Sequence, residues 1–245
     1  MKNLIRGHIY QLKKDNFFYG CLAVGLISLA MTIRFSLMGI MTIPVEGVEK
    51  MFSTFMGGDI VLYAFMLLTA NMVVEAYRSG AMKNIIGRGI PKKQYYLLVV
   101  YTITAAYLLV MLISGIAAGV LAGSRFGMET IAYPGYYALT VLARILFVLA
   151  HISFAVTMAI FTRNAITGVV FSLVIPNIPQ ILEMILSFLR IQISLDAFKL
   201  STHMPYIDAA SNDLSTFLPY FIVVCGYLIL SVFAGFGLLK HQDIK

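Results

Sequence analysis

Charged side chains are scarce in this sequence. Only 12% of its 245 residues are Asp, Glu, Lys or Arg, whereas 60% are hydrophobic, and the mean hydropathy is +0.88. A soluble domain carries about a quarter charged residues, because its surface must face water. Half that density cannot cover a soluble globule of this length. The composition therefore argues against a secreted protein, a cytosolic enzyme, a nucleic-acid-binding protein and a disordered chain, and it indicates a membrane protein.

Groups that could carry catalysis or bind metals are also few. The two cysteines, Cys21 and Cys225, lie in apolar stretches, so neither a disulfide framework nor a metal cluster is predicted. A membrane-embedded enzyme needs acids, histidines or a metal pair that converge at one depth, and the apolar segments hold only His151 and the separated Glu75 and Glu183. No residue is predicted to be catalytic. An enzyme of this kind remains an alternative, as does a secondary carrier, which would need acidic or histidine relays and usually internal repeats.

A nucleotide-binding motif is absent as well. The phosphate-binding loop of many ATPases requires the pattern G-x-x-x-x-G-K-[ST], whose backbone amides wrap the phosphates, and no such run occurs in the sequence. If ATP drives this protein, another chain must bind the nucleotide.

Long apolar segments are what the sequence has in quantity. A bilayer core about 30 Å thick needs roughly 20 apolar residues in a helix, and backbone amides in hydrocarbon must be bonded within the segment, which favours helices. We predict an all-α polytopic membrane protein in which residues 1–245 form a single transmembrane domain. The six predicted spans are residues 17–40, 60–77, 95–122, 136–161, 166–189 and 218–239.

Lysine and arginine fall mostly on one side of these spans. With the N-terminus inside, the cytoplasmic segments hold most of the basic residues and the outer segments are acidic. An excess of Lys and Arg marks cytoplasmic loops, so both termini are predicted to be cytoplasmic. The net charge of +7 then reports orientation rather than a nucleic-acid partner.

The segment before the first span has apolar residues at helical spacing beside basic ones. This pattern predicts an amphipathic helix on the inner membrane surface, and a simple basic anchor is an equal alternative. The apolar residues are Ile5, Ile9 and Leu12, and the basic ones are Lys2, Arg6, Lys13 and Lys14.

A few polar residues lie within the predicted spans, where each costs several kcal/mol unless paired or hydrated. Arg34, Arg144 and Glu183 are predicted at depths that allow Glu183 to pair with either arginine. A structural tether is favoured over contact with a substrate, and His151 is interpreted as a hydrogen-bonded packing residue. Pro176, Asn177 and Pro179 should kink or unwind the fifth span, either beside a substrate path or as a passive bend.

The inner loop between the second and third spans is the most informative segment. It is predicted to form a short helix over about residues 81–86, a Gly-Arg-Gly turn and a return to the membrane at Pro91, since glycine permits a sharp bend and proline suits the first turn of a helix. A loop that is merely positive-inside would explain its basic residues but not the apolar face of Met82, Ile85 and Ile86. We interpret this short, partly apolar helix as one that inserts into a partner's groove.

The residues of this loop resemble a known signature. Glu75, the Arg-x-Gly at 78–80, the Lys-Asn-Ile-Ile at 83–86 and Arg88 look like the segment between spans two and three of type-2 ATP-binding-cassette permeases, the six-span membrane subunits of drug, antimicrobial-peptide and polysaccharide exporters. Gly89 stands where the family usually has proline, and Pro91 follows two residues later. The resemblance also covers the span count, the cytoplasmic termini and the surface helix, and thus nearly the whole chain.

The resemblance implies a transport subunit rather than an enzyme. A coupling helix in the loop 78–94 would dock into a separate cytoplasmic ATPase, which would bind the ATP and Mg²⁺. A second permease subunit, in a homodimer or heterodimer, and an extracellular cap at 190–217 are also implied, in the bacterial cytoplasmic membrane. Because few charges remain to line a pathway, we expect export of an amphipathic or hydrophobic substrate, preferably an antimicrobial or toxin peptide. The implied coupling residues are Glu75, Arg78, Gly80, Lys83, Asn84, Ile85, Arg88 and Gly89.

Overall fold

Every regular element in the described part of the chain is a helix. The computed structural model describes residues 2–37, 59–126, 134–195, 198 and 217–241. The elements are α1 (Lys2–Lys14), α2 (Asn16–Leu37), α3 (Asp59–Arg78), α4 (Ala81–Gly87), α5 (Lys92–Phe126), α6 (Pro134–Thr162), α7 (Ala165–Val174), the 3-10 helix η1 (Ile175–Asn177), α8 (Ile178–Phe188) and α9 (Phe217–His241).

Five helical segments among the described residues are long and apolar enough to cross a membrane. The prediction of an all-helical, multi-pass membrane protein is confirmed at this level. The segments are Ile60–Arg78, Lys92–Ile113, Val141–Thr162, Ala165–Phe188 and Leu218–His241.

The first predicted span falls on α2. This helix is 22 residues long, or about 33 Å at 1.5 Å per residue. Its apolar stretch among residues with described side chains is Asn16–Ser28, which is shorter than a bilayer crossing. Residues 38–40 of the predicted span, and most of the predicted cap at 190–217, lie outside the described residues.

The helix α6 stands at the centre of the bundle. It packs against α3, α5, α7 and α9, and small residues allow close approach between helices in a membrane. A β-carbon placed on Gly168 of α7 would lie 3.0 Å from backbone atoms of Ala159 on α6. Fully buried apolar side chains of the bundle include Phe65, Met66 and Leu68 on α3, Ile103 on α5 and Ile152 on α6 itself.

The fifth predicted span is interrupted where its prolines predict. The α-helix gives way to 3-10 geometry at Ile175–Asn177 and resumes at Ile178. Pro176 has no amide hydrogen for the Ser172 carbonyl four residues earlier. In the same turn the Asn177 side chain donates to the Leu173 carbonyl through Nδ2 at 2.8 Å. The break is therefore bridged by a side-chain hydrogen bond, and its position beside a substrate path stays a prediction.

Candidate functional site at the basic end of the bundle

Several helices end close together at one end of the bundle. We call this the basic end, after Lys14, Arg78, Lys92, Arg163 and Lys240. The Lys92 ammonium, at the start of α5, donates to the carbonyl of Leu239 at the end of α9 over 2.9 Å. The Arg163 guanidinium, just after α6, lies 5.9 Å from the ring centre of Tyr77, near the end of α3. α1 packs against α5. The first and last described helices thus meet the connection from α3 to α5.

The loop in this connection folds as the sequence predicts. Gly80 (φ 70°) and Gly89 (φ 85°) adopt left-handed backbone conformations on either side of α4, a region that glycine enters without strain. The Gly80 carbonyl accepts from the Asn84 amide at 3.0 Å, and the Gly89 amide donates to the Ile86 carbonyl at 2.9 Å. Pro91 then begins α5 by accepting hydrogen bonds from the amides of residues 94 and 95. The short helix and the glycine turn are confirmed.

The apolar face of α4 is turned toward the chain's own core. Met82 has no exposed surface, and Ile85 and Ile86 are half-buried against the core cluster. The bundle thus covers Met82 fully and the two isoleucines in part, and insertion of the short helix into a partner's groove stays a prediction. Lys83 and Asn84 face solvent, as does Arg88 after the helix.

The other residues implied by the resemblance lie around α4. Glu75 and Arg78 are exposed at the end of α3, Gly80 is half-buried before α4, and Gly89 is exposed after it. The structure thus brings seven of the eight implied coupling residues to an exposed or partly exposed polar surface. The eighth, Ile85, belongs to the anchoring face.

A cavity of about 450 Å³ opens beside α4. The α1 helix contributes Tyr10 and Lys14 to its wall, the link to α2 contributes Asp15, and α3 contributes Glu75. Apolar side chains deeper along the spans, such as Met72, also line it. Sequence reasoning missed this cavity, because its walls come from segments more than 50 residues apart.

The polar residues predicted inside the spans lie on different helices. Glu183 on α8 accepts a hydrogen bond from the Leu195 amide at 3.3 Å. Arg144 on α6 is half-buried, and the adjacent carbonyl of Ala143 accepts from the Tyr220 hydroxyl at 3.2 Å. The side chain of Arg34 lies outside the described residues. The pairing of Glu183 with either arginine stays a prediction.

His151 has the packing role that the sequence analysis assigns to it. It is buried, its Nδ1 donates to the Phe147 carbonyl at 2.9 Å, and its ring centre lies 4.2 Å from that of Phe147. Within the described residues, no group of three or more His, Cys, Asp or Glu side chains is placed to hold a metal ion.

A buried hydroxyl network joins α5, α6 and α9. The Tyr96 hydroxyl lies 2.8 Å from Ser153 Oγ and 2.9 Å from Thr157 Oγ1. Ser153 Oγ is 2.6 Å from Ser231 Oγ, and Thr157 donates to the Ser231 carbonyl at 2.9 Å. All four residues are fully buried. Sequence reasoning missed this network, since hydroxyl side chains are scattered through apolar spans and their spacing does not show which ones meet.

No family model, curated protein or solved structure matches this chain.

Proposed function

We propose that this chain is the membrane-spanning subunit of an ATP-driven exporter, and that a separate cytoplasmic ATPase docks on the exposed side of α4. One observation carries the proposal. A seven-residue helix is anchored to the bundle by buried Met82 and presents Lys83, Asn84 and the following Arg88 to solvent. A helix fixed on one side and polar on the other can transmit a push from a bound partner to the spans α3 and α5.

In this proposal the basic end faces the cytoplasm. The excess of Lys and Arg at this end fits the positive-inside pattern. α2 is the first span in chain order and brings the total to six. α1 lies on the inner membrane surface, and both termini are cytoplasmic. The membrane is the bacterial cytoplasmic membrane.

The proposed docking contact is polar rather than hydrophobic. Arg78, Lys83 and Arg88 place three cations around α4, with the Glu75 carboxylate beside them. An acidic groove on the ATPase is the complementary surface, and charge complementarity of this kind sets the rate and specificity of association. The ATPase holds the ATP and Mg²⁺.

The transported substrate is amphipathic or hydrophobic, with an antimicrobial or toxin peptide preferred. The spans carry few charges that could bind a small ion. Two permease subunits, identical or different, enclose the pathway. Nucleotide-driven closure of the two ATPases moves the α4 helices of the two permease subunits. This movement opens the pathway between the subunits toward the outside.

Co-purification from the native membrane tests the proposal. Tagged protein should bring down an ATP-hydrolysing subunit, and the triple charge reversal Arg78→Glu, Lys83→Glu, Arg88→Glu should reduce its recovery at least about tenfold. Lys13→Glu is the control, because Lys13 is exposed on α1 at the same end and does not line the cavity beside α4. A stable, active protein that purifies with no ATPase and shows no ATP dependence would overturn the proposal.

A further inference from the structure

The cavity beside α4 presents opposite charges on two walls. Lys14 stands on α1, with its ammonium 4.8 Å from the ring centre of Tyr10. Glu75 stands on α3, three residues before the end of that span. Within the part of the chain that the structure describes, no hydrogen bond or ion pair reaches the Glu75 carboxylate. The backbone carbonyl of Glu75 accepts a hydrogen bond from the Ser79 hydroxyl.

The second carboxylate of the cavity is already engaged. Asp15 Oδ1 accepts from the Phe17 amide at 2.8 Å, which satisfies one of the free amides at the start of α2. One ammonium and one available carboxylate therefore remain to face a ligand.

The position of the cavity points to the membrane rather than to bulk water. Its walls are the ends of α1 and of the spans α3 and α5, so it opens at the level where the spans leave the bilayer. Deeper in the cavity, Met72 and Val99 continue the lining with apolar side chains. A polar rim above an apolar floor suits a molecule with a charged head and a hydrocarbon tail. The volume of about 450 Å³ lies within the range of small-molecule sites.

We propose that this cavity binds the phosphoethanolamine headgroup of a membrane phospholipid, with the lipid ammonium on Glu75 and the lipid phosphate on Lys14. A primary ammonium donates three hydrogen bonds to carboxylate oxygens, and a charge-assisted bond of this kind is stronger than a neutral one. A choline headgroup has no N–H to donate, and an anionic headgroup such as phosphatidylglycerol has no ammonium for the Glu75 carboxylate. The cavity therefore selects a zwitterionic headgroup with a free amine. This inference concerns a lipid and does not rest on the proposed ATPase partner.

Native mass spectrometry of the purified full-length chain tests the selection. Protein in detergent is offered equal amounts of phosphatidylethanolamine, phosphatidylcholine and phosphatidylglycerol, and the retained lipids are counted. We expect phosphatidylethanolamine to be retained at least about tenfold better than either competitor, and the preference to fall about tenfold in Glu75→Gln and in Lys14→Met. Lys13→Met is the matched control, since Lys13 is the exposed neighbour on α1 that does not line the cavity.

Two further arms make the outcomes decisive. Soluble glycerophosphoethanolamine, which has the headgroup without the acyl chains, should neither bind nor raise the melting temperature, whereas equal stabilisation by the soluble headgroup would overturn the lipid assignment. Circular dichroism checks that each variant keeps its helix content. Equal retention of the three lipids would overturn the proposed headgroup site. An unchanged preference for phosphatidylethanolamine in a folded Glu75→Gln protein would also overturn it.

Discussion

Hydroxyl groups buried in the bundle differ in whether they find partners. Thr157 bonds to Tyr96 and to the backbone of Ser231, so it ties α6 to both α5 and α9. Thr104 on α5 is also buried, but its Oγ1 has no hydrogen-bond partner among the described residues. The two threonines are a matched pair for measuring what one hydroxyl contributes.

The first prediction compares valine at these two positions, because valine keeps the shape of threonine and removes its hydroxyl. Thr157→Val should lower the free energy of unfolding by about 1 kcal/mol, the scale found for hydrogen bonds between membrane helices. Thr104→Val should be neutral or stabilising, because it removes an unsatisfied group. Unfolding in mixed micelles with increasing dodecyl sulfate measures both. Equal losses in the two variants would contradict the assigned network.

At the scale of an element, the broken fifth span depends on Asn177. Its side chain donates to the Leu173 carbonyl, which the 3-10 turn at Ile175–Asn177 takes out of the regular α-helical bonding pattern. Without this bond the Leu173 carbonyl would lose a donor in a region where water is not at hand to replace it, which is unfavourable.

The second prediction is a double-mutant cycle at this break. Asn177→Ala should destabilise the protein by about 1 kcal/mol. In a Pro176→Ala background the same change should cost much less, since alanine lets the α-helix continue and the backbone amide of residue 177 can then donate to Leu173. Unfolding free energies of the four proteins give the coupling, and simple additivity would show that the Asn177 bond does not bridge the break.

The third prediction concerns the contact of α9 with the hydroxyl network. A β-carbon on Gly235 would collide with the Tyr96 ring and lie 2.8 Å from Thr157 Oγ1, whereas one on Gly237 would meet nothing within 4 Å. Gly235→Ala should therefore cost about 1–3 kcal/mol of unfolding free energy through overpacking. Gly237→Ala, in the same helix, should be neutral or stabilising through helix propensity. Equal effects at both sites would mean that α9 does not pack on Tyr96 as described.

Sequence patterns predict the helices and their ends better than they predict which residues contact one another. Apolar length locates the five spans, proline locates the break at Pro176, and glycine spacing locates the ends of α4. Periodicity also finds the apolar face of α4 at Met82, but an apolar face can be buried on its own chain or on another, and pattern alone does not distinguish these. The cavity at Glu75 requires three segments to meet, and that information is not local in sequence.

At the scale of the whole molecule, the fourth prediction states on which side of the membrane the ends of the helices lie. Single cysteines at Lys13, Lys83 and Arg163 should react with a membrane-impermeant maleimide only in inside-out vesicles, and one at Ser194 only in intact cells. Cys21 and Cys225 are first replaced by alanine. If Lys13 and Lys83 react from opposite sides, α2 does not cross the membrane and the six-span arrangement is wrong.

In the proposed function, the ATPase binds the exposed side of α4. The Met82 side stays covered by the bundle, and the Lys83 side is free to be bound. A photo-crosslinking residue can therefore report the partner at that surface directly, in the membrane and without purification.

The most direct measurement places a photo-crosslinking amino acid at Asn84 and identifies the captured polypeptide by mass spectrometry. We predict a protein that carries a nucleotide-binding motif. The same residue at Leu230, exposed on the membrane-spanning part of α9, should not capture it. If the Asn84 position, in correctly inserted protein, captures no ATP-binding polypeptide, the account of this chain as an ATPase-coupled permease is contradicted.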